Sequence, residues 1–597
     1  ESYYTPPSEA IERIEVTRGA SSLQYGTQFG GVLNFDLRGP NPDKKMDVLL
    51  RQSFGSYGLF NTFNSIGGTN KDIGYYGFIN YKQGNGWRPN SEFNSIVGHA
   101  QLHHKINDKL SYKIEFTKMN YTAQQPGGLT DTLFNRDAGQ SIRERNWFAV
   151  DWNVGAVVLS YRLNSKWRFE IRNFGLIGSR DALGILGYIN RPDPLGKRDL
   201  IKDEYLNVGN ETRMIHTYNF LGNPNNLLLG VRYYRGFTKR KQGDGSIDSD
   251  ANFEYDDSDN PEYSNYRFPS QNIAVFTENV FQFSERWSVT PGLRMEHIIT
   301  ESIGSYNVQY SNLAGESLFD TTITDHQSSS RGFAIGGIGT AYKFKNNEVY
   351  GNISQNYRAI NFNDMRINNP NLRVDPDLQD ETGFSSDLGL RGNLSKYFIY
   401  DVSLYYLQYS GRIGTVARVN ENTFRIYRFR TNVSDSRNLG IESFGEVDLL
   451  GIITKGKSKM NLNLFSNFTL QDARYVNSAE TAFENKKVEN APSLILKTGM
   501  NIKCKKFKIG YQYSYNSEQF SDATNAVYTD NALAGVIPAF WVMDLSASYE
   551  YKKWKFETGI NNLTDNRYFT RRAVGYPGPG IIPADPINFY GAVQLHF

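Results

Sequence analysis

The sequence predicts an all-β fold, a transmembrane barrel of about 22 antiparallel strands. Three observations predict it. Segments of strict apolar–polar alternation follow one another from about residue 41 to the carboxyl terminus. In 507–516, for example, Phe507, Ile509, Tyr511, Tyr513 and Tyr515 alternate without a break with Lys508, Gly510, Gln512, Ser514 and Asn516. Short polar turns alternate with other, mostly longer connections. Aromatic residues reach 14% of the chain, with 39 Tyr and 38 Phe against only 20 Pro, which suits strands bordered by interfacial girdles.

The first element along the chain is a glycine-punctuated stretch at 11–38, IERIEVTRGASSLQYGTQFGGVLNFDLR. Two short strand patterns (Ile11, Ile14 and Val16; Val32, Leu33 and Phe35) flank a turn-rich centre with Gly19, Gly26, Gly30 and Gly31. Gly39-Pro40-Asn41-Pro42 closes this unit, so two domains are expected: 1–40, and 41–597 as the wall. Ten short turns are expected at 69–72, 106–109, 164–166, 222–226, 284–286, 345–347, 394–396, 450–457, 503–506 and 552–553. Eleven other connections fall at 55–58, 84–94, 122–146, 179–205, 239–270, 301–330, 357–380, 410–434, 473–491, 517–539 and 568–586. Ten plus eleven connections join about 22 strands, an even number that leaves both ends of the wall on the short-turn side. Trp287, Trp541, Tyr551 and Trp554 fall at strand ends, and the last strand shows Ile587, Phe589, Gly591, Val593, Leu595 and Phe597 on one face.

Several function classes recede on composition. No run of about 18 apolar residues occurs, so no transmembrane helix is expected. A barrel wall shows lipid only every second residue, which accommodates a mean hydropathy of −0.53. A net charge of +3 without a basic, aromatic-bearing stripe argues against nucleic acid. There is no nucleophile with a base, no phosphate-cradling loop and no paired carboxylates in a cleft, so no enzyme is expected. The single cysteine, Cys504, reads as a free thiol at a turn, and no Cys/His cluster has zinc spacing. His103 and His104 point to opposite faces of a strand. The run Asp244, Asp248, Asp250, Asp256, Asp257 and Asp259 lacks EF-hand spacing and reads as a solvated acidic loop rather than a calcium site. No permanently bound cofactor is expected.

IERIEVTRG followed by YGTQFGGVLNF resembles the closing part of the plug domain of TonB-dependent outer-membrane receptors. The resemblance implies a plug within a barrel in the outer membrane of a Gram-negative bacterium, energised by the TonB–ExbB–ExbD system and surrounded by lipid and lipopolysaccharide. A final strand ending on an aromatic resembles the signal read by the barrel assembly machinery. In the family most of the plug and the TonB-contacting segment lie further upstream, and no signal peptide stands at Glu1. The sequence is therefore expected to be mature, or part of a longer chain. The family also pairs plug arginines with wall glutamates. An unpaired charge packed inside the wall costs several kcal/mol, so Arg18 is expected to meet Glu442 (in Leu439-Gly440-Ile441-Glu442) or Glu381 (in Leu378-Gln379-Asp380-Glu381).

The solute is addressed by two further segments. Gln124 to Asp131 (QQPGGLTD), followed by Arg143, Arg145, Asn146 and Trp147, resembles the ferric-citrate receptor branch, and so do 568–572 (YFTRR) and 575–580 (GYPGPG). This implies import of a ferric chelate, ferric citrate or another, as transported ligand. Ferric polycarboxylates are anionic, and arginine forks match carboxylates. Candidate ligand contacts are Arg143, Arg145, Arg358, Arg412, Arg418, Arg425, Arg428 and Arg430, with Arg366 and Arg373 beside them. The alternative for each is a solvated loop residue or one that bridges lipopolysaccharide phosphates. The alternative for the whole chain is a transport-inactive, receptor-like barrel serving as a structural subunit of a larger outer-membrane complex. A passive porin is disfavoured by the plug-like segment.

Overall fold

A strand that crosses hydrocarbon must pair all its backbone polar groups within the protein, which only a ladder without edges achieves. The computed structural model closes such a ladder from 22 antiparallel strands. It describes residues 3–18, 23–27, 29–185, 189, 191–256, 263–311, 317–360, 372–421, 425–478, 482–575 and 578–597. The ring shuts where the last strand, Asn588–His596, pairs with the first wall strand, Asp47–Gly55, setting Tyr590 opposite Gly55 and His596 opposite Leu49. Alternation orients the wall. Leu206 and Val208, Leu229, Val231 and Tyr233, and Ile273 and Val275 are exposed on the outer face, while the intervening Ala274 and Phe276 are buried inside.

All ten short turns join strands within a few residues of where the sequence places them, although that expected at 222–226 is a turn at 221–222, with Asn223, Pro224, Asn225 and Asn226 already paired. Lys71, Lys345, Lys505 and Lys552 each take a left-handed φ (55°, 53°, 52° and 53°) at the first position of a two-residue turn. Positive φ there matches the turn's twist to that of the strands. The longest short connection, 450–457, holds the helical turn Leu449–Ile453, capped by Asp448, whose side chain accepts from Gly451 N at 2.9 Å.

Several expected loops are ladder instead. The segment at 301–330 is paired from Trp287–Ser311 to Ser317–Phe344, and that at 410–434 from Phe398–Asn420 to Arg425–Asp448. Likewise 179–205 and 239–270 shrink, their flanking strands running to Gly184 and from Arg198, and to Gly245 and from Ser264. Beyond the hydrocarbon band neither face meets lipid. The apolar alternation lapses there while backbone pairing continues, so the sequence pattern reads as loop.

The amino-terminal residues form a hairpin, Ile11–Thr17 against Val32–Leu37, with Ile14 opposite Phe35. Gly19 lies outside the described residues. Contacts of residues 3–38 run round the ring: Tyr3 packs on Phe148 and Trp152 (5.6–6.0 Å between centroids), Glu9 meets Arg51 at 3.4 Å, and Phe29 stacks on Tyr409 at 4.0 Å. A segment touching strands on opposite arcs of a closed cylinder lies within it. The principal core is accordingly luminal: Ala10 joins Leu49, Phe63, Tyr76, Phe78, Val97, Met119, Val150, Trp152 and Tyr205, with Tyr3, Tyr4 and Leu37 against them.

Phe63 is fully buried at the centre of that cluster, 5.2 Å from the Phe78 ring. Phe63→Ala is expected to cost about 3–5 kcal/mol. Thermal melting of the detergent-solubilised protein by circular dichroism should show a clearly lower midpoint, and an unchanged midpoint counts against a luminal core.

Candidate functional site

Residues 23–27, 29 and 30, between the two hairpin strands, are gripped by the wall. Arg294 donates from Nη1 to Leu23 O at 3.1 Å, and its own Nε is paired with Glu296, itself a partner of Asn272 at 2.7 Å. Arg213 reaches Gln24 Oε1 at 3.0 Å, lies 4.9 Å from the Tyr25 ring and is held by Glu211 at 2.7 Å. Arg232 donates to Tyr25 O at 3.4 Å. Thr27 is bound twice to Tyr357, accepting from its N at 2.9 Å and donating from Oγ1 to its O at 2.8 Å. Leu23 seats against Ile335 and Tyr357. Sequence reasoning missed this clamp, although a signal exists. Glu211/Arg213 and Arg294/Glu296 are opposite charges two residues apart, hence on one strand face, and a face bearing such a pair does not face lipid.

Arg18 donates from Nη1 to Glu442 Oε2 at 2.6 Å. The pair stands in a cavity of about 890 Å³ between hairpin and wall, beside Glu348, Asp387, Asp401 and Arg391. With the side chains 60% and 34% exposed, it contributes at most about 1 kcal/mol. Glu381 does not join Arg18. It accepts from Ile413 N at 2.6 Å and from Arg358 Nη1 at 3.4 Å.

Glu381 belongs to a second, smaller cavity of about 270 Å³, lined by Phe29, Gly30, Arg358, Glu381, Tyr409, Arg412 and Ile413. A bulge shapes it. Gly411 takes φ +64°, its N donates to Asp435 Oδ1 at 3.0 Å and its O accepts from Asn432 Nδ2 at 2.6 Å. The register shifts on either side of Arg412, which re-aims that side chain. The Arg412 guanidinium lies 4.7 Å from the Tyr409 ring, which stacks on Phe29, and Arg412 Nε is buried without a hydrogen-bond partner. Phe29 and Gly30 border both cavities. The Phe29 ring is thus a partition between an outer chamber with two arginines and one glutamate, and an inner one with four carboxylates and two arginines.

The remaining candidate arginines are scattered. Arg143 is buried and donates to Ile142 O at 3.0 Å and Arg191 O at 3.2 Å. Arg145 forks onto Asp193 (2.9 and 2.6 Å) and reaches Gly196 O and Ile247 O. Burial works to raise the Asp193 pKa, but hydrogen bonds from Arg145 and the Leu195 N–H hold it below the ordinary carboxylate value. Both arginines therefore stitch loops together. Arg418 covers the Phe429 ring at 4.3 Å and Arg373 the Tyr427 ring at 4.7 Å. Arg428 is buried with its Nε unpartnered. Arg430 O accepts from Asp375 N at 2.8 Å, next to where Leu372–Val374 adds in parallel to the ladder. Arg366 and the Arg425 side chain lie outside the described residues, as do Asp257, Asp259, Tyr576 and Pro577. Three of the acidic loop's charges are partnered by cations: Lys197 meets Asp256 at 2.7 Å and Asp244 at 3.5 Å, and Arg198 meets Asp250 at 3.5 Å.

The segments at 124–131 and at 568–575 and 578–580 come together, as packing. Arg572 forks onto Asp131 at 2.8 and 2.6 Å, and Leu129 bridges Ile581, both fully buried. Gly128 permits the approach, since a Cβ there would stand 2.0 Å from Pro579 O.

The family model for TonB dependent receptor-like β-barrels matches residues 28–563. Solved structures of like fold include the ferric citrate transporter FecA in its unliganded form, 18% identical over 98% of this chain and 83% of that one, with a TM-score of 0.79. The ferric-catecholate import receptor Fiu from E. coli K12, in its closed form, is 14% identical over 98% and 86%, with a TM-score of 0.75. The copper transporter OprC is 14% identical over 100% and 89%, with a TM-score of 0.78. At such identities the likeness is one of fold.

The two sets of arginine contacts differ in burial, and this separates their expected effects. Arg294→Ala leaves Glu296 buried without its partner and frees Leu23 O, a loss of about 3–5 kcal/mol, whereas Arg18→Ala costs about 1 kcal/mol or less. Single-channel conductance in planar bilayers should rise clearly for Arg294→Ala and little for Arg18→Ala. The reverse order would remove the clamp from the account.

Proposed function

This chain belongs to the TonB-dependent receptors, and from that premise we propose that it imports an anionic ferric chelate across the outer membrane of a Gram-negative bacterium. The observation that carries the reading is the outer chamber at the hairpin tip, where Arg358 and Arg412 converge behind a single aromatic partition. Arg412 brings an unpaired, buried Nε to that chamber, and a carboxylate is the group whose two oxygens suit such a fork. Ferric citrate is the cargo we place first, because a polycarboxylate offers several such oxygens on one ion.

The order of events follows from position. The chelate enters between the long connections and exchanges water for Arg358 and Arg412. Its charge is opposed below by the carboxylates of the inner chamber, so it stays in the outer one until the tip moves. Phe29 and Gly30 are the residues in its path, and their displacement opens the way past Arg18 and Glu442. Receptors of this family work with the TonB system, which supplies the inward pull.

Isothermal titration of the purified protein with ferric citrate and a panel of other ferric chelates tests the chamber. Arg358→Ala with Arg412→Ala is expected to weaken the bound chelate by about ten- to a hundredfold, the worth of charge-assisted hydrogen bonds. Equal affinity in wild type and double variant removes the chamber as the binding site. Growth of a deletion strain on single iron sources identifies the cargo, and undiminished growth on every source favours the structural-subunit alternative.

A further inference from the structure

The outer wall carries a groove that import does not use. It indents the lipid-facing surface over Arg198–Phe220, Asn223–Gly245, Ser264–Gln282 and Trp287–Ser311, with a volume of about 580 Å³. Leu227, Phe281 and Leu293 give it apolar walls, and His216, Tyr218 and Asn279 give it polar ones. All six follow the outward alternation of Val208, Leu229, Val275 and Met295.

Its cause is Pro291, which brings no N–H to the ladder. Pairing between the third and fourth strands reaches Glu278 opposite Gly292 and resumes only at Phe281 opposite Val289. The missing rungs let the side chains part. Its depth is set by aromatics. Phe281, at the rim, belongs to a row with Phe220, Phe283 and Trp287, with centroids 4.9–6.3 Å apart, beside the short turns. Such a row marks the headgroup level, here that of the periplasmic leaflet.

Two polar atoms in the groove lack partners. His216 Nδ1 and Asn279 Oδ1 are buried without a hydrogen bond, although Asn279 Nδ2 donates to Tyr218 Oη at 2.7 Å and Trp167 stacks on the His216 ring at 3.9 Å. Water is scarce at that depth. Oδ1 accepts, and so does Nδ1 in the Nε2-protonated tautomer, so the complementary group is a donor. No lysine or arginine lines the groove, which disfavours a phosphate-anchored lipopolysaccharide.

We propose that this groove binds one glycerophospholipid of the periplasmic leaflet with a primary-ammonium headgroup. Its headgroup passes the Phe281 ring at the rim and its ammonium donates towards Asn279 and His216, while its acyl chain lies along Leu227 and Leu293. The test is native mass spectrometry of the full-length protein released from nanodiscs containing equal phosphatidylethanolamine and phosphatidylcholine with matched chains, since choline has no N–H to donate. One phosphatidylethanolamine should be retained over phosphatidylcholine by about fivefold. Asn279→Leu should abolish the preference. Leu227→Trp, which fills the groove from the lipid side, should abolish retention, with heat-modifiable migration reporting an intact barrel in each variant. Equal retention of the two lipids, or retention unaltered in both folded variants, overturns the proposal.

Discussion

Hydrocarbon offers no hydrogen bonds, and the rest of this molecule depends on that constraint. Because each backbone N–H and C=O must be paired by a neighbour, the wall closes, Asn588–His596 onto Asp47–Gly55. Closure at 22 strands leaves a lumen too wide for wall side chains to fill. The lumen therefore holds its own hairpin, and the apolar core forms where that hairpin meets the wall. Each inward side chain of the wall is consequently judged by its fit to residues 3–38, and each outward one by its fit to lipid.

That division decides what a charge does. Outward charges are excluded through the membrane band, so inward faces carry opposite charges at i and i+2, such as Glu211 with Arg213 and Arg294 with Glu296. Arg294 of the buried pair holds the Leu23 carbonyl of the tip and Arg213 the Gln24 side chain, and removing one member of the buried pair costs several kcal/mol. Arg18 with Glu442 is half-solvated in the larger cavity and stabilises little. Above the membrane the same economy recurs with a different purpose: Arg145 and Arg572 are spent on fastening loops to one another.

Legibility in the sequence tracks these environments. The ten short turns were readable because lipid imposes alternation on both sides of each. The extended ladders around Arg412 to Arg430 and 301–330 were not, because no face there has to be apolar. Glu442 and Glu381 sit in similar motifs, but only Glu442 stands beside the hairpin's Arg18, whereas Glu381 serves Arg358 and the bulged Ile413 N. Arg143 and Arg145 have the chemistry of ligand contacts but bind carbonyls and Asp193, which residue type alone does not distinguish. The segments at 124–131 and 568–572, which carry the resemblance to one branch of the family, are fastened together by Asp131 and Arg572, with Leu129 bridging the adjacent Ile581. Their likeness therefore follows from architecture and carries no weight for cargo.

The energies of tip and partition divide the labour of opening. A ligand shifts a conformational equilibrium only by its differential affinity for the two states. Displacing Phe29 from Tyr409 costs about 1 kcal/mol of ring stacking, within reach of one charge-assisted contact to Arg412. Freeing the tip is another matter: the contacts of Arg213, Arg232, Arg294 and Thr27, at about 0.5–1.5 kcal/mol each, are lost together with the seat of Leu23. None of those four side chains lines the outer chamber, so a chelate bound there, as proposed, would gain nothing when they let go. On the proposed reading, ligand binding is thus matched to the partition and mechanical work to the clamp, so that an occupied but unpulled barrel stays shut.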